Sequence, residues 1–591
     1  AIGPSRVNPM TGEILDADII LTDGWIRYYR FSFDKIMPKL AMQGYSPETL
    51  AWLAKNPQWD PRVQLAPPSK RPYIMAQIAK QATMPLGSHA SAKVDSNLIG
   101  DDEFDGLIGQ TSQTNGLCLA ANGLAYDMAF MRMHQEILSN TYFAETAKDD
   151  KGKDKKKKED AKKKKKKKDH LLDGMPEEFI GPLLAHLVAH EVGHTIGLRH
   201  NFKGSSVYTY NEINSDKMKG KKPLGGSVMD YTPINISMDA KGKPRGDYSM
   251  LGIGPYDMWA IEYGYTSAKD LKPILARVAE PQLAYGTDED TSGPDPLSRR
   301  FDFSKNPLDY ANAQMKLAKF HRARLLDKFV KKGDSWSKAS EGYGMTLSLQ
   351  FRSIFMMTSW IGGVHIYRDK KGDKNGRKPI EVVSAKQQRD ALKFVLENSF
   401  RDNAYGLSSK LMQHLTHDKW MDGANWFKAM QDATFPVHDR IMGLQLTVMT
   451  KLMNPSTLRR VYDNELNVSA DKDAMTLAEL MESINKEVWT ELNQKKNGKF
   501  TTRKPMISTL RQNLQSEHLS RLISLALLQS SSQSAYKAIS NLALLELKTL
   551  KKEVDNKLKA EGKTFDIYTR AHLSKVSTQI EKALQAQFIV R

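Results

Sequence analysis

The sequence predicts an α+β protein in two parts, a mixed strand-and-helix part over residues 1–300 and a mostly α-helical part over 301–591. Three observations carry that expectation. The first part alternates turn chemistry, short apolar stretches and brief helical periodicities. From about Pro307 onward, long amphipathic segments dominate. Within the first part, a helical stripe ends in a His-Glu-x-x-His run at 190–194. The chain of 591 residues is 40% hydrophobic and 26% charged, enough apolar material for ordinary cores, so wholesale disorder is excluded. No apolar run approaches the ~18–20 residues of a membrane span, Leu522–Leu528 being among the longer ones, and a polytopic membrane protein is excluded. The single cysteine, Cys118, excludes an intramolecular disulfide framework but leaves the compartment open. The chain opens Ala-Ile-Gly-Pro, with neither an initiator Met nor a signal-peptide pattern, which points to a processed product or a piece of a longer chain.

In order, Asn8-Pro9-Met10-Thr11-Gly12 has turn chemistry, and Ile14–Ile20 reads as a strand. Trp25, Tyr29, Phe33 and Ile36 fall at helical steps over Trp25–Met37, and Pro38 is expected to end or kink that helix. Pro57–Pro72 reads as an irregular connection, and Ala76–Met84 and Leu124–Leu138 as helices. Between Lys148 and Asp169 stand fourteen lysines and six acidic residues. That segment supplies +8 of the net charge of +19 and leaves +11 for the rest, so the high pI is partly the insert's doing, it gives only weak support for nucleic-acid binding by the folded body, and no specific nucleic-acid partner is expected. With no apolar periodicity, Lys148–Lys168 reads as a disordered, solvated insertion, with peripheral contact to anionic surfaces as its functional alternative.

The second part reads as helices over Tyr310–Val330, Ser384–Asn398, Leu477–Gln494, Ser534–Leu558 and Tyr568–Phe588, with a turn at Asp369–Pro379. Leu547, Leu550, Val554 and Leu558 form one apolar stripe. No fixed-period repeat is present, which argues against a solenoid.

The chemistry lies in His190-Glu191-Val192-Gly193-His194-Thr195-Ile196-Gly197-Leu198-Arg199-His200. Two histidines four apart on a helix share a face, about 6 Å apart along the axis, and can hold one Zn²⁺ at ~2.1 Å. Gly197 can end the helix in a left-handed conformation and return His200 as a third ligand. Three protein ligands leave one position open, the pattern of a catalytic zinc site. Glu191 can reach water there without being a ligand. Phe179, Leu183, Leu184, Leu187 and Val188 give the helix a buried side, and Pro182 places its regular start close by. His186 shares the face, but His186, His190 and His194 span about 12 Å, too far for one ion, so His186 is read as packing. Downstream, a tight turn at Ser227-Val228-Met229-Asp230-Tyr231 could set Met229 below the metal and aim the Tyr231 hydroxyl into the site. The helix opened by Gly254-Pro255 carries Tyr256, Trp259, Ala260 and Tyr263 on one face, expected to pack beneath that turn.

These motifs resemble the metzincin clan of zinc endopeptidases. His190 to His200 is similar to its zinc helix, glycine turn and third histidine, and Ser227 to Tyr231 to its Met-turn in the astacin and serralysin form. The wider text resembles the bacterial EcxA-like zinc-binding metallopeptidases: Gly3–Ile14, His190–Phe202, Ser227–Pro233, Ile253–Tyr265, Ile361-Gly362-Gly363-Val364 and Arg368. The resemblance implies a metzincin-like catalytic domain of mixed sheet plus zinc helix, followed by a helical C-terminal domain. It implies one catalytic zinc on His190, His194 and His200, with Glu191 as general base and Tyr231 as a switchable ligand or transition-state donor. Peptide or protein substrates and an exported location (periplasmic, cell-surface or extracellular) go with it. The clan's first strand and long helix precede the strand near Ile14–Ile20, so the chain is expected to lack them.

Other features weigh less. Asp288-Glu289-Asp290-Thr291-Ser292-Gly293 fits the first half of a calcium loop, but Arg299 stands where the twelfth-position Glu belongs, so Ca²⁺ is weakly supported beside a solvated acidic loop. Asp101-Asp102-Glu103-Phe104-Asp105 reads as a polar loop, and Cys118 as a small buried residue. A gluzincin-type site, with a downstream Glu as third ligand, is disfavoured by Gly197 and His200. The reading from a different class is a helical scaffold with a vestigial zinc site and a polybasic loop, disfavoured by the intact Glu191.

Overall fold

Proline and small polar residues at helix starts organise much of this chain. The computed structural model describes residues 33–81, 119–138, 175–239, 244–418, 433–493, 498–527 and 534–586, with short pieces within 5–19 and at 171–172. Cys118, Asp101–Asp105 and the lysine-rich segment 148–169 lie outside the described residues.

The expected helix at Trp25–Met37 is described from Phe33 and continues through Pro38 to Ala41 (α1). Pro38 does not end it, because Met37 and Ala41 on either side are fully buried and tertiary packing outweighs one lost hydrogen bond. Helix α2 spans Pro47–Lys55 with Ser46 as N-cap. The expected irregular stretch Pro57–Pro72 is instead a series of single turns, Pro57–Trp59, Pro61–Gln64 and Pro68–Lys70. Each starts on a proline, whose missing N–H lies where no intrahelical bond would form. Helices α3 (Arg71–Gln81) and α4 (Leu119–Ile137) follow.

The described strands form three two-stranded antiparallel ribbons. They are β1 (Ser5–Val7) with β2 (Ile14–Ala17), β3 (Leu171–Leu172) with β4 (Met175–Pro176), and β5 (Val364–Ile366) with β6 (Ile380–Val382). The small strand content fits an α+β class, but the mixed sheet expected for the first part is not among the described residues. Helix α5, Glu177–Thr195, begins a turn earlier than expected and carries Pro182 inside it. Burial of Phe179 and Ile180 holds that extra turn.

Helices α6 (Pro255–Tyr265), α7 (Pro307–Arg322), α8 (Ser337–Thr358) and α9 (Ala385–Ser399) lead into α10 (Val437–Met453), α11 (Pro455–Glu465) and α12 (Leu477–Val488). The chain closes with α13 (Thr509–Ala526), α14 (Ala535–Glu561) and α15 (Ile567–Ala586), packed on one another. Side-chain caps from Ser384, Asn454, Thr476 and Ser508 accept backbone N–H groups at the starts of α9, α11, α12 and α13. Leu547, Leu550 and Val554 of the expected stripe are buried in α14.

Helix α8 is the central post, buried on nearly every side against α1, α7, α9 and α10. Its Arg352 donates to Asp127 of α4 at 2.6 Å, and the other oxygen of Asp127 accepts the N–H of Ile234 at 2.9 Å. That buried pair ties the helical part to the loop beyond Tyr231. One continuous cluster of buried side chains includes Met37, Phe179, Tyr231, Phe351 and Ile580, so residues on both sides of position 300 share it. Among the described residues, no helix is long and apolar enough to cross a membrane.

Candidate metal centre

Helix α5 brings His190 and His194 onto one face, their ring centroids 4.8 Å apart. The helix then ends as the sequence requires. Gly197 takes φ +86°, its N–H bonds the carbonyl of His194 at 3.0 Å, and the N–H of Leu198 bonds that of Gly193 at 2.9 Å. This is a Schellman ending, and the left-handed residue inside it favours glycine. The reversal returns His200 to the other two. One ring nitrogen from each histidine lies within 4.8 Å of the others.

The outer faces of the three rings fix which nitrogen carries the proton. His190 Nδ1 lies 2.9 Å from the carbonyl oxygen of Val228, and His194 Nδ1 lies 2.9 Å from that of Leu198. His200 Nδ1 lies 2.8 Å from Asp288 Oδ2. Carbonyls and an ionised carboxylate only accept, so all three Nδ1 atoms donate and all three Nε2 atoms keep a lone pair. Those lone pairs face inward. His190 Nε2 is buried without a hydrogen-bond partner. His194 Nε2 and His200 Nε2 stand 3.2 Å apart, close to the ~3.3 Å between two nitrogens on a tetrahedral zinc. Two lone pairs held so close repel unless a cation lies between them. The donor set therefore fits a metal ion.

Electrostatics agree. Burial first, then the charges of His194 and His200, push His190 well below the ordinary imidazole value. Burial and then His200 bring His194 down to about 4. Both are neutral, ligand-competent bases at neutral pH. Burial works against the Asp288 carboxylate, yet the His200 bond, with Arg300 and Arg199 nearby, holds it below the usual range.

The turn Ser227–Tyr231 packs against α5. Met229 is fully buried, and a Cβ on Gly193 would lie 2.2 Å from its sulfur, so a side chain there would force the buried Met229 to shift. The Tyr231 hydroxyl donates to His200 Nε2 at 2.9 Å. Tyr231 is held in turn by its carbonyl, which accepts the N–H of Phe301 at 2.9 Å. Behind the turn, Asp230 and Asp302 share Ser205, which gives its N–H to Asp230 and its hydroxyl to Asp302. Burial pushes both carboxyls up, Asp302 to about 7.

Glu191 follows His190 and is buried at 1% exposure. His186 is also buried and lines, with His190 and Tyr231, a void of about 10 Å³. The aromatic face of α6 does not lie beneath the turn as expected. Tyr256 stacks on Tyr285 instead, at 5.4 Å, and the Trp259 indole donates to the Ile274 carbonyl. What grips the turn is Asp257, which accepts the Ser227 hydroxyl at 2.5 Å, the Val228 N–H at 2.7 Å and the Gly254 N–H at 2.8 Å. The one legible signal was its position, an acid three residues after Gly254 at a helix start. Sequence reasoning also missed Asn201, whose side chain accepts from Gly286 N–H and donates to the Ala284 carbonyl. The acidic run 288–290 is not free solvated loop. Asp288 holds His200, Glu289 pairs with Arg199, and Asp290 pairs with Arg368 beyond β5. Arg299, at the failed twelfth position, donates to the carbonyls of Thr291 and Gly293.

A family model described as Met-zincin matches residues 173–496, more than half of the chain. No curated protein and no solved structure matches it.

Proposed function

The chain belongs to the Met-zincin family, and from that premise we propose that it is a zinc-dependent endopeptidase acting on peptide or protein substrates. The family and the cluster of His190, His194 and His200 together fit a zinc metalloprotease. The observation that carries the finer reading is the set of three Nδ1–H groups engaged by acceptor-only partners, which leaves three Nε2 lone pairs converging.

A zinc ion held by the three histidines would supply Lewis acidity, lowering the pKa of water and polarising a carbonyl. Glu191 takes a proton from the attacking water and passes it to the leaving amine. Tyr231, whose hydroxyl already reaches the ligand nitrogen of His200 at 2.9 Å, donates to the developing oxyanion. Met229 acts as the floor of a Met-turn and takes no part as a ligand. The division of labour runs along the chain, with the catalytic machinery in residues 1–300 and a helical domain in 301–591 bracing it. Kinship with the EcxA-like peptidases, and the exported location that goes with it, rests on the sequence phrases quoted above.

The test is cleavage profiling of a proteome-derived peptide library by mass spectrometry, with zinc-loaded protein against its Glu191→Ala variant. Internal cleavages by the parent alone support the assignment and read out the subsites. Equal cleavage by both removes Glu191 as the base, and terminal trimming alone removes the endopeptidase reading.

A further inference from the structure

The three histidines are not held alike. His190 and His194 are oriented by carbonyls of the chain's own backbone, at Val228 and Leu198. His200 alone is oriented by a charged side chain, Asp288, from 88 residues further on. Asp288 sits on a single helical turn, Asp288–Asp290, closed by Asp290, whose side chain accepts the Thr287 N–H at 2.8 Å and whose own N–H bonds the Thr287 carbonyl at 3.0 Å. That turn is clamped from two directions. Arg300 donates to the second oxygen of Asp288 at 3.2 Å and Arg368 pairs with Asp290 at 2.8 Å, whereas the Arg199–Glu289 pair on the same turn is mostly exposed and adds little. Arg300 also lies over the rings of Phe202 and Tyr231, at 4.9 and 5.9 Å. The carboxylate therefore has one oxygen for His200 and one for a cation, and its carrier has little freedom to turn away.

We propose that Asp288 is a positioning residue for the zinc ligand His200, holding its Nδ1–H so that Nε2 points at the ion. The proposal rests on the zinc reading above. A negative charge on the outer nitrogen also makes the inner one a stronger donor, so Asp288 sets metal affinity as well as ring orientation. The loop from Gly197 to His200 lies beyond the helix, where no helical hydrogen bond fixes the ring, and that is the ligand to which a side-chain carboxylate is applied.

The experiment is zinc affinity of the full chain, by competition with a chromophoric chelator, for the parent, Asp288→Ala, Asp288→Asn and Glu289→Ala. The visible d–d spectrum of each Co²⁺-substituted protein is recorded alongside. Asp288→Ala is expected to weaken zinc binding about 10–100-fold and to change the cobalt bands. Asp288→Asn keeps an acceptor oxygen but loses the charge, and is expected to fall between parent and Ala. Should the Ala variant fail to fold, the Asn variant carries the comparison. Glu289→Ala removes an ion pair on the same turn that touches no imidazole, and is expected to stay within about twofold. Parent-like affinity and spectra in both Asp288 variants, or an equal loss in Glu289→Ala, would overturn the proposal. A parent that binds no zinc would instead remove the zinc reading itself.

Discussion

Two groups of buried histidines, one in α5 and its loop and one in the helical part, invite comparison. His190 and His194 are pushed down by burial, and so are His321, His518 and His572, the last three to about 4, 3 and 4. By burial and basicity the groups are alike. They differ in where the nitrogens go. His518 Nδ1 accepts the Trp489 indole N–H at 3.1 Å, and His572 Nε2 bonds Gln515 Oε1 at 2.9 Å. His321 uses both nitrogens, one on the Leu317 carbonyl and one on His134 Nδ1. In α5 the outer nitrogens are engaged and the inner ones face each other. Depressed basicity marks desolvation in both places. Convergence of lone pairs marks the metal centre.

The comparison breaks most simply at His194. His194→Ala is expected to abolish stoichiometric zinc binding and peptide hydrolysis, whereas His572→Gln keeps one zinc per chain. Metal analysis after dialysis reads both. Next in size is Glu191→Ala, expected to keep zinc and to lower kcat about 10²–10⁴-fold. Loss of zinc in that variant would make Glu191 a ligand and not a base.

On the helical side, Arg511 donates to Glu491 at 2.8 Å, both buried, and to the carbonyl of Phe400. Arg511→Ala leaves Glu491 as an uncompensated buried charge, and is expected to cost about 3–5 kcal/mol of stability in denaturant titration. Zinc affinity of the folded fraction should not move. Acid sharpens the same contrast. The unfolded chain protonates His321, His518 and His572 near pH 6.5, while the folded chain refuses those protons down to about 3–4. Their stabilisation is therefore complete above pH 6.5 and is lost as pH falls through that window. Metal-free protein should show this slope, since it does not depend on zinc. The smallest expected effect is that of Tyr231→Phe, a drop in kcat well short of that from Glu191→Ala, with KM and zinc content held. Unchanged kinetics would leave Tyr231 a packing residue.

Much of the centre was legible because its chemistry is local. The spacing of His190 and His194, the left-handed demand at Gly197 and the return of His200 all lie within one helix and its ending. Tyr231 was legible only as part of a turn of recognisable form. Asp288 and Asp257 were not, because each acts across dozens of residues on a partner that the sequence does not name. An acidic run reads as solvated surface until its cations are placed beside it. In the fold, α14 was legible from its one-sided stripe. Helices α8 and α10 were not singled out, since a helix buried on nearly all sides has no polar face to set a period. The turns at Pro57, Pro61 and Pro68 were read as irregular because proline signals both a break and a first turn.

The Nε2 atoms of His190, His194 and His200 are expected to hold one zinc ion. Anomalous scattering at the zinc edge, from crystals of the full chain grown with zinc, tests it directly. One strong peak is expected between those three nitrogens. A peak elsewhere with these nitrogens bare, or on only two of them, would contradict it.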